Sequence, residues 1–190
     1  SKTNMSRSRD NADLGDNYGT FTGTIGSATF PSDHIVQTNY LTYTWPSDST
    51  GVDGIEINQA FGAIHTFVPK YNNTKILFIM QLPEVLTPSN NFGMGFCVTT
   101  NSGLTAGVGN NNPEGSHSAT IYRDYKQRHF PGESTPYTSI TFKTISCTAG
   151  TTYYIAPIIS NVEADTTDIY ANWSGGGGWV QTQLLIEISP

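Results

Sequence analysis

Charge is scarce in this 190-residue chain, where Asp, Glu, Lys and Arg together supply 13% of the residues, against about 25% in ordinary soluble domains. The 9 basic residues face 15 acidic ones, a net charge of −6. No basic stripe exists to neutralise phosphates, so nucleic acid is excluded as the main partner. No run of roughly 18 apolar residues occurs, so no membrane span is expected. Cysteine is limited to Cys97 and Cys147. With no CxxC pair and no paired histidine beside them, zinc is excluded. The two thiols either pair as a disulfide, should their strands be neighbours, or sit buried as small hydrophobes, which is the expected outcome. Helical periodicity is missing along the whole chain.

What remains is Gly, Thr, Ser, Asn and Tyr, a composition that favours short strands joined by turns. The clearest strand is the last. After the glycines at 175–178, which cannot hold a helix, Val180, Thr182, Leu184, Ile186 and Ile188 alternate with Gln181, Gln183, Glu187 and Ser189. The alternation predicts a half-buried strand with the apolar set turned inward, paired on both sides in the middle of a sheet.

Upstream, residues 1–17 are polar and read as an arm or attachment segment. Residues 18–38 read as a short stem or entry strands, and 39–190 as the globular domain. Within that domain the run from Lys75 to Leu82 is continuously apolar and reads as the most buried strand. Phe92, Met94, Phe96 and Val98 share one face of a strand whose other face is bared by Gly93 and Gly95, which predicts close approach of another backbone or subunit. Ile140, Phe142 and Ile145 are expected to point inward from the strand before Cys147. Residues 101–118 and 126–136 read as long polar loops. About nine to eleven strands at regular spacing predict an all-β, antiparallel jelly-roll β-sandwich.

Catalytic patterns are absent. The histidines His34, His65, His117 and His129 accompany no GxSxG elbow, and His65, inside a strand, reads as a packed histidine. The acids Glu163, Asp165 and Asp168, or Asp124 and Glu133, read as solvated loop charge rather than as a glycosidase pair or a calcium site. No metal or cofactor is expected, and no enzymatic activity. The better candidate site is for carbohydrate, which is held by exposed aromatic faces and planar polar groups. Trp173, Trp179 and Tyr170 surround the glycine run, and Tyr122, Arg123, Tyr125 and Arg128 border the second long loop. Against this stands packing of each tryptophan on the sandwich or a neighbouring subunit. The sequons at Asn4, Asn72 and Asn172 matter only in a secreted eukaryotic protein.

Four phrases occur in order: Phe30-Pro31-Ser32-Asp33-His34-Ile35-Val36-Gln37; Thr74-Lys75-Ile76-Leu77-Phe78-Ile79; Thr152-Tyr153-Tyr154-Ile155; and the glycine run leading to Leu184-Leu185-Ile186-Glu187-Ile188. Together, over about residues 20–190, they resemble the C-terminal receptor-binding or structural domains of tail and capsid fibre proteins of tailed phages. The resemblance implies a homotrimeric jelly roll similar to the tumour-necrosis-factor and complement globular type, carried on the virion surface. It also implies contacts to other virion proteins through the arm, and a host-cell glycan or protein as receptor. The alternative is a structural virion component, a capsid decoration or fibre-joining protein, without receptor binding. A polysaccharide-degrading enzyme and a secreted adhesion domain are more distant readings.

Overall fold

The computed structural model describes residues 32–45, 50–52, 58–60, 62–86, 92–104, 110–111, 113–126, 134–161, 169–171 and 180–190. The sequence-predicted arm and most of the entry segment lie outside them. These residues form an antiparallel jelly-roll β-sandwich, as the composition and strand spacing predict.

The first sheet is built around β5 (Lys75–Leu86). On one side β5 pairs with β12 (Val180–Ile188), which in turn pairs with β1 (Ile35–Thr44). On its other side β5 pairs with β9 (Ser134–Thr144). Two short strands, β11 (Ile169–Ala171) and β2 (Thr50–Val52), continue from the far end of β5. The second sheet centres on β10 (Tyr153–Asn161), flanked by β6 (Phe92–Thr99) and, beyond it, β8 (Thr120–Lys126). Along the opposite edge of β10 lie β3 (Asn58–Ala60) and β4 (His65–Phe67), with β7 (Asn110–Asn111) outside β3. The last strand is thus paired on both sides, as its alternation predicts. The first strand takes in residues 35–38, which the sequence reading assigned to the entry segment.

An apolar core lies between the sheets, beside buried polar residues of β9 and β12. From β5 it takes Ile76, Phe78, Met80 and Leu82; from β6, Met94, Phe96 and Val98; from β10, Ile155 and Ile159; and beyond β9, Ile145. Burial of such side chains contributes about 1.5–3 kcal/mol each. β5 does supply the largest share, but its alternate residues Leu77 and Ile79 are only half-buried.

The chain covers the outer face of the second sheet with its own loop. Leu104 and Ala119 close over Cys97, Ala156, Ile158 and Ala60 in a second apolar cluster. The predicted loop at 101–118 contains one helical turn, α1 (Pro113–His117). Its five residues are too few for a periodicity to be legible. The turn is tied down by Thr99, whose hydroxyl donates to the His117 carbonyl at 2.6 Å.

Two sequence expectations are met. The bare side of β6 is closely approached by another backbone at Gly95. A Cβ there would lie 2.0 Å from the Tyr122 carbonyl oxygen of β8, so the close neighbour belongs to the same chain. The two cysteines are free and buried. They belong to different clusters, Cys97 under the covering loop and Cys147 in the main core.

Candidate interaction surface

One sequence expectation is corrected, namely which side of the first sheet faces in. On β12 the residues turned to the core are Gln181, Gln183, Leu185, Glu187 and, just past its end, Ser189, while Leu184, Ile186 and Ile188 are half-buried on the outside. On β9, Ser139 and Thr141 are buried and Ile140 and Phe142 point outward, against the sequence reading; of the predicted inward set only Ile145 is inside. A strand's two faces are interchangeable in an alternating pattern, so a polar interior reverses every side chain at once.

The polar interior is held by hydrogen bonds, as burial of polar groups demands. The indole N–H of Trp45 donates to Oε1 of Gln181 at 3.2 Å. His65 Nε2 donates to Oε1 of Gln183 at 3.1 Å. The Glu187 carboxylate accepts from Gln37 Nε2 at 2.6 Å and from the Lys70 backbone N–H at 2.8 Å. Burial pushes the His65 pKa down to about 4, against a smaller upward pull from the Gln183 hydrogen bond. It also pushes the Cys97 thiol up to about 12, only partly offset by backbone hydrogen bonds.

With the polar groups inside, the apolar ones line the outside in register. Tyr40 of β1 lies opposite Leu184, which lies opposite Ile79, which lies opposite Ile140. The next row runs Thr38, Ile186, Leu77, Phe142, and beyond it Ile35 stands beside Ile188. Tyr40 and Ile35 are each 61% exposed, Ile140 56% and Phe142 53%. Charge touches this face at one end, where Lys75 pairs with Asp33; Thr42, Thr182, Gln81 and Thr138 form the row at the other end. Four strands about 4.8 Å apart and three rows about 6.8 Å apart give a patch on the order of 400 Å². That is the scale of the largest patch on a typical monomer, and such patches are often functional.

Of the sequence-predicted glycan residues, Tyr122 and Arg123 have described side chains. Tyr122 stacks on Phe96 inside the sandwich, with ring centroids 5.3 Å apart, and its hydroxyl accepts the Ser146 N–H at 3.4 Å. Its ring serves the core. Arg123, the next residue of β8, is half-buried and faces the opposite side, across from Gly95. Tyr125 and Tyr170 are placed on β8 and β11 by their backbones, with their side chains outside the described set. Trp173, Trp179 and Arg128 lie outside the described residues. His65 is a packed histidine, as its strand position predicts. At the Asn72 sequon the side chain is already engaged, its Oδ1 accepting the Ala149 N–H at 2.8 Å. Among the described residues, no three His, Cys, Asp or Glu side chains gather as a metal would need.

The outer rows and the inward glutamines are what sequence reasoning missed. One signal was present: Ser139 and Thr141 alternate with Ile140 and Phe142, just as Gln181 and Gln183 alternate with Thr182 and Leu184. Two strands flanking β5 with long or hydrogen-bonding polar residues in one phase, beside a Trp and a His that need acceptors, fit a polar interior as well as a polar surface.

No family model matches the chain, and no curated protein matches it. Among solved structures it is similar to the Eiger TNF of S. frugiperda, at 8% identity and a TM-score of 0.31, over 79% of this chain and 93% of that one. A chain of the infectious bursal disease virus Gx strain is similar at 11% identity and a TM-score of 0.24, over 88% of this chain and 46% of that one. The VP2 subviral particle of infectious bursal disease virus follows at 11% identity and a TM-score of 0.16, over 88% and 45%. Likenesses at this level carry no argument about activity or descent.

Proposed function

We propose that this chain is a non-enzymatic assembly subunit of a virion, which associates with copies of itself, as a homotrimer, through the outer face of its first sheet. The observation that supports the reading is the unequal treatment of the two outer faces. The chain covers the second sheet with Leu104, Ala119 and the turn between them, yet leaves Tyr40, Ile140 and Phe142 more than half exposed on the first. A flat, almost charge-free surface has no like charges to repel its own copy, whereas the rest of a chain of net charge −6 does. Around a threefold axis each copy meets its two neighbours through different edges of this face, and three patches, on the order of 400 Å² each, supply the apolar centre, with the threonine row as its rim.

The test is the mass in solution by light scattering, for the wild type and for the double variant Ile140→Asp, Phe142→Asp. Both positions are exposed, so the sandwich keeps its circular dichroism. The wild type is expected at three times the chain mass and the variant at one. A monomeric wild type, or a variant with unchanged mass, overturns the reading.

The finer reading, attachment to a host glycan at the tip of a phage fibre, rests on the sequence resemblance and on Trp173 and Trp179. Its test is a glycan array with Trp173→Ala and Trp179→Ala, in which a signal retained by both variants removes these residues from the site. The arm at 1–17 belongs to the same reading, as the attachment to other virion proteins.

A further inference from the structure

The strand that presents the outer rows is held from behind by a histidine. His65 is fully buried on β4 of the second sheet. Its ring stands edge-on to Phe78 of β5, with centroids 5.7 Å apart and planes at 80°. Its Nε2 reaches Gln183, which sits on β12 between Thr182 and Leu184, both turned outward. Gly62, at a φ of 93°, leads into β4 so close to this strand that a Cβ would come within 2.6 Å of the side chains of both Gln181 and Gln183. On its inner face β12 offers Leu185 as its apolar side chain. Hydrogen bonds from Trp45, His65, Gln37 and the Lys70 N–H add to its hold on the interior.

The charged surroundings of the imidazole are few. Among the described residues, the ionisable group sharing the inner face of β12 with Gln183 is Glu187, two inward positions away, already accepting from Gln37 and Lys70. The inner positions of β5, Ile76, Phe78, Met80 and Leu82, are apolar, and so is Ile155, opposite His65 on β10. Tyr43, Tyr153 and Cys147 are the other titratable side chains described in or against the same core.

We propose that His65 is an acid-operated latch: a proton taken up there places a buried cation behind β12, loosens that strand, and breaks the subunit contact on its outer side. The proposal rests on the self-association reading above. A cation sealed from water between the sheets, with no acid beside it to pair with among the described residues, is among the costliest groups a fold can hold, and the fold already answers this cost by keeping the ring neutral down to about pH 4.

The sign follows from linkage. The folded-state value, about 4, lies below the ordinary 6.5. The neutral ring's contribution is therefore complete above pH 6.5 and drains away as the pH falls from 6.5 to 4. The full difference of about 2.5 units is a factor of about 300 in the folding equilibrium.

The experiment follows mass by light scattering and the thermal midpoint from pH 7.5 to 4, for the full chain and for His65→Gln. The glutamine keeps a donor toward Gln183 and cannot charge in this range. The wild type is expected to lose mass reversibly below pH 6.5 while the variant holds its mass to a lower pH. Parallel acid profiles for the two overturn the latch. Should His65→Gln fail to fold, NMR titration of the assigned His65 ring in the wild type decides: a ring still neutral at pH 5 supports the latch, and one titrating near 6.5 in the folded protein overturns it. A wild type that is monomeric at pH 7.5 counts against self-association instead. The difference in acid stability between wild type and variant then shows whether the latch acts on β12 alone.

Discussion

Trp45 and Gln181 join the two ends of the described fold, the indole N–H donating across 3.2 Å to the amide oxygen. Trp45 follows β1 directly and is 2% exposed, and Gln181 is fully buried on β12. Replacing Gln181 by Leu removes an acceptor from a sealed donor, which costs about 1–3 kcal/mol. Trp45→Phe with Gln181→Leu removes both partners. The double variant is expected to be more stable than the sum of the single losses, by about 0.5–1.5 kcal/mol. Urea denaturation of the four proteins measures this coupling. Strictly additive losses would mean that the bond contributes nothing beyond packing.

Strand positions were legible in the sequence because each is bounded by turn residues and reads as an alternating or continuously apolar run. The ladder from Ile35 to Thr44, the run from Lys75, and the last strand from Val180 all stand where their patterns place them. The inward face was not legible for β9 and β12, because alternation defines two faces without saying which is buried. For β12 the answer depends on distant groups: Trp45, His65, Gln37 and Lys70 arrive from other parts of the chain to satisfy Gln181, Gln183 and Glu187. For β6 the periodicity gave the correct face, since Met94, Phe96 and Val98 are inside. The glycine opposite them does meet another backbone, that of Tyr122, but which strand supplies it was not legible, because strand order is a tertiary fact. Tyr122 looked like a sugar platform because a loop-bordering tyrosine and a core tyrosine at a strand centre read alike; only the stack on Phe96 separates them.

Gly95 gives a sharper test of the sheet than any side-chain deletion. An added Cβ would sit 2.0 Å from the Tyr122 carbonyl oxygen and 2.7 Å from the Arg123 Cα, both backbone atoms that cannot swing aside. Gly95→Ala is therefore expected to force β6 and β8 apart and to cost more than about 3 kcal/mol, at the severe end for a single methyl. Gly150→Ala is the control. Its Cβ would meet nothing within 4 Å, and its φ of 79° leaves only a backbone penalty, about 1 kcal/mol. Thermal melts of the two variants are expected to differ by at least about 4 °C in midpoint, taking about 2–4 °C per kcal/mol for a domain of this size.

The cysteines are expected to be chemically silent in the folded protein. Cys97 lies under the covering loop with its thiol pKa pushed up to about 12 by burial, so almost none of it is thiolate at neutral pH. Cys147 is buried in the main core, its Sγ 3.6 Å from the Tyr71 carbonyl oxygen. A thiol reagent at pH 8 is expected to label neither within an hour in buffer and both in denaturant. The protein migrates identically on gels with and without reductant. Rapid labelling of Cys97 in buffer would show that the segment from Leu104 to Ala119 opens, and would remove it as the cover of the second sheet.

Glu187 is a carboxylate with no exposed surface. It accepts two N–H groups, from the Gln37 side chain and the Lys70 backbone, and Gln37 donates also to the Val68 carbonyl at 2.9 Å. This small network straps the connection after β4 to both β1 and β12. Glu187→Gln keeps the shape but replaces one acceptor oxygen with an N–H₂, which then faces a donor. Losing a charge-assisted hydrogen bond costs about 1.5–3 kcal/mol, set against a smaller gain from no longer burying a charge. The net is expected to be destabilising and local. Amide hydrogen exchange separates the two components. The Lys70 amide, which has Glu187 as its acceptor, is expected to exchange at least tenfold faster in the variant, equivalent to about 1.4 kcal/mol. Amides at the centre of β10 should change only by the global loss. Equal acceleration at both would mean that Glu187 stabilises the fold as a whole and not this strap, and an unchanged Lys70 rate would mean that the bond is replaced as soon as it is lost.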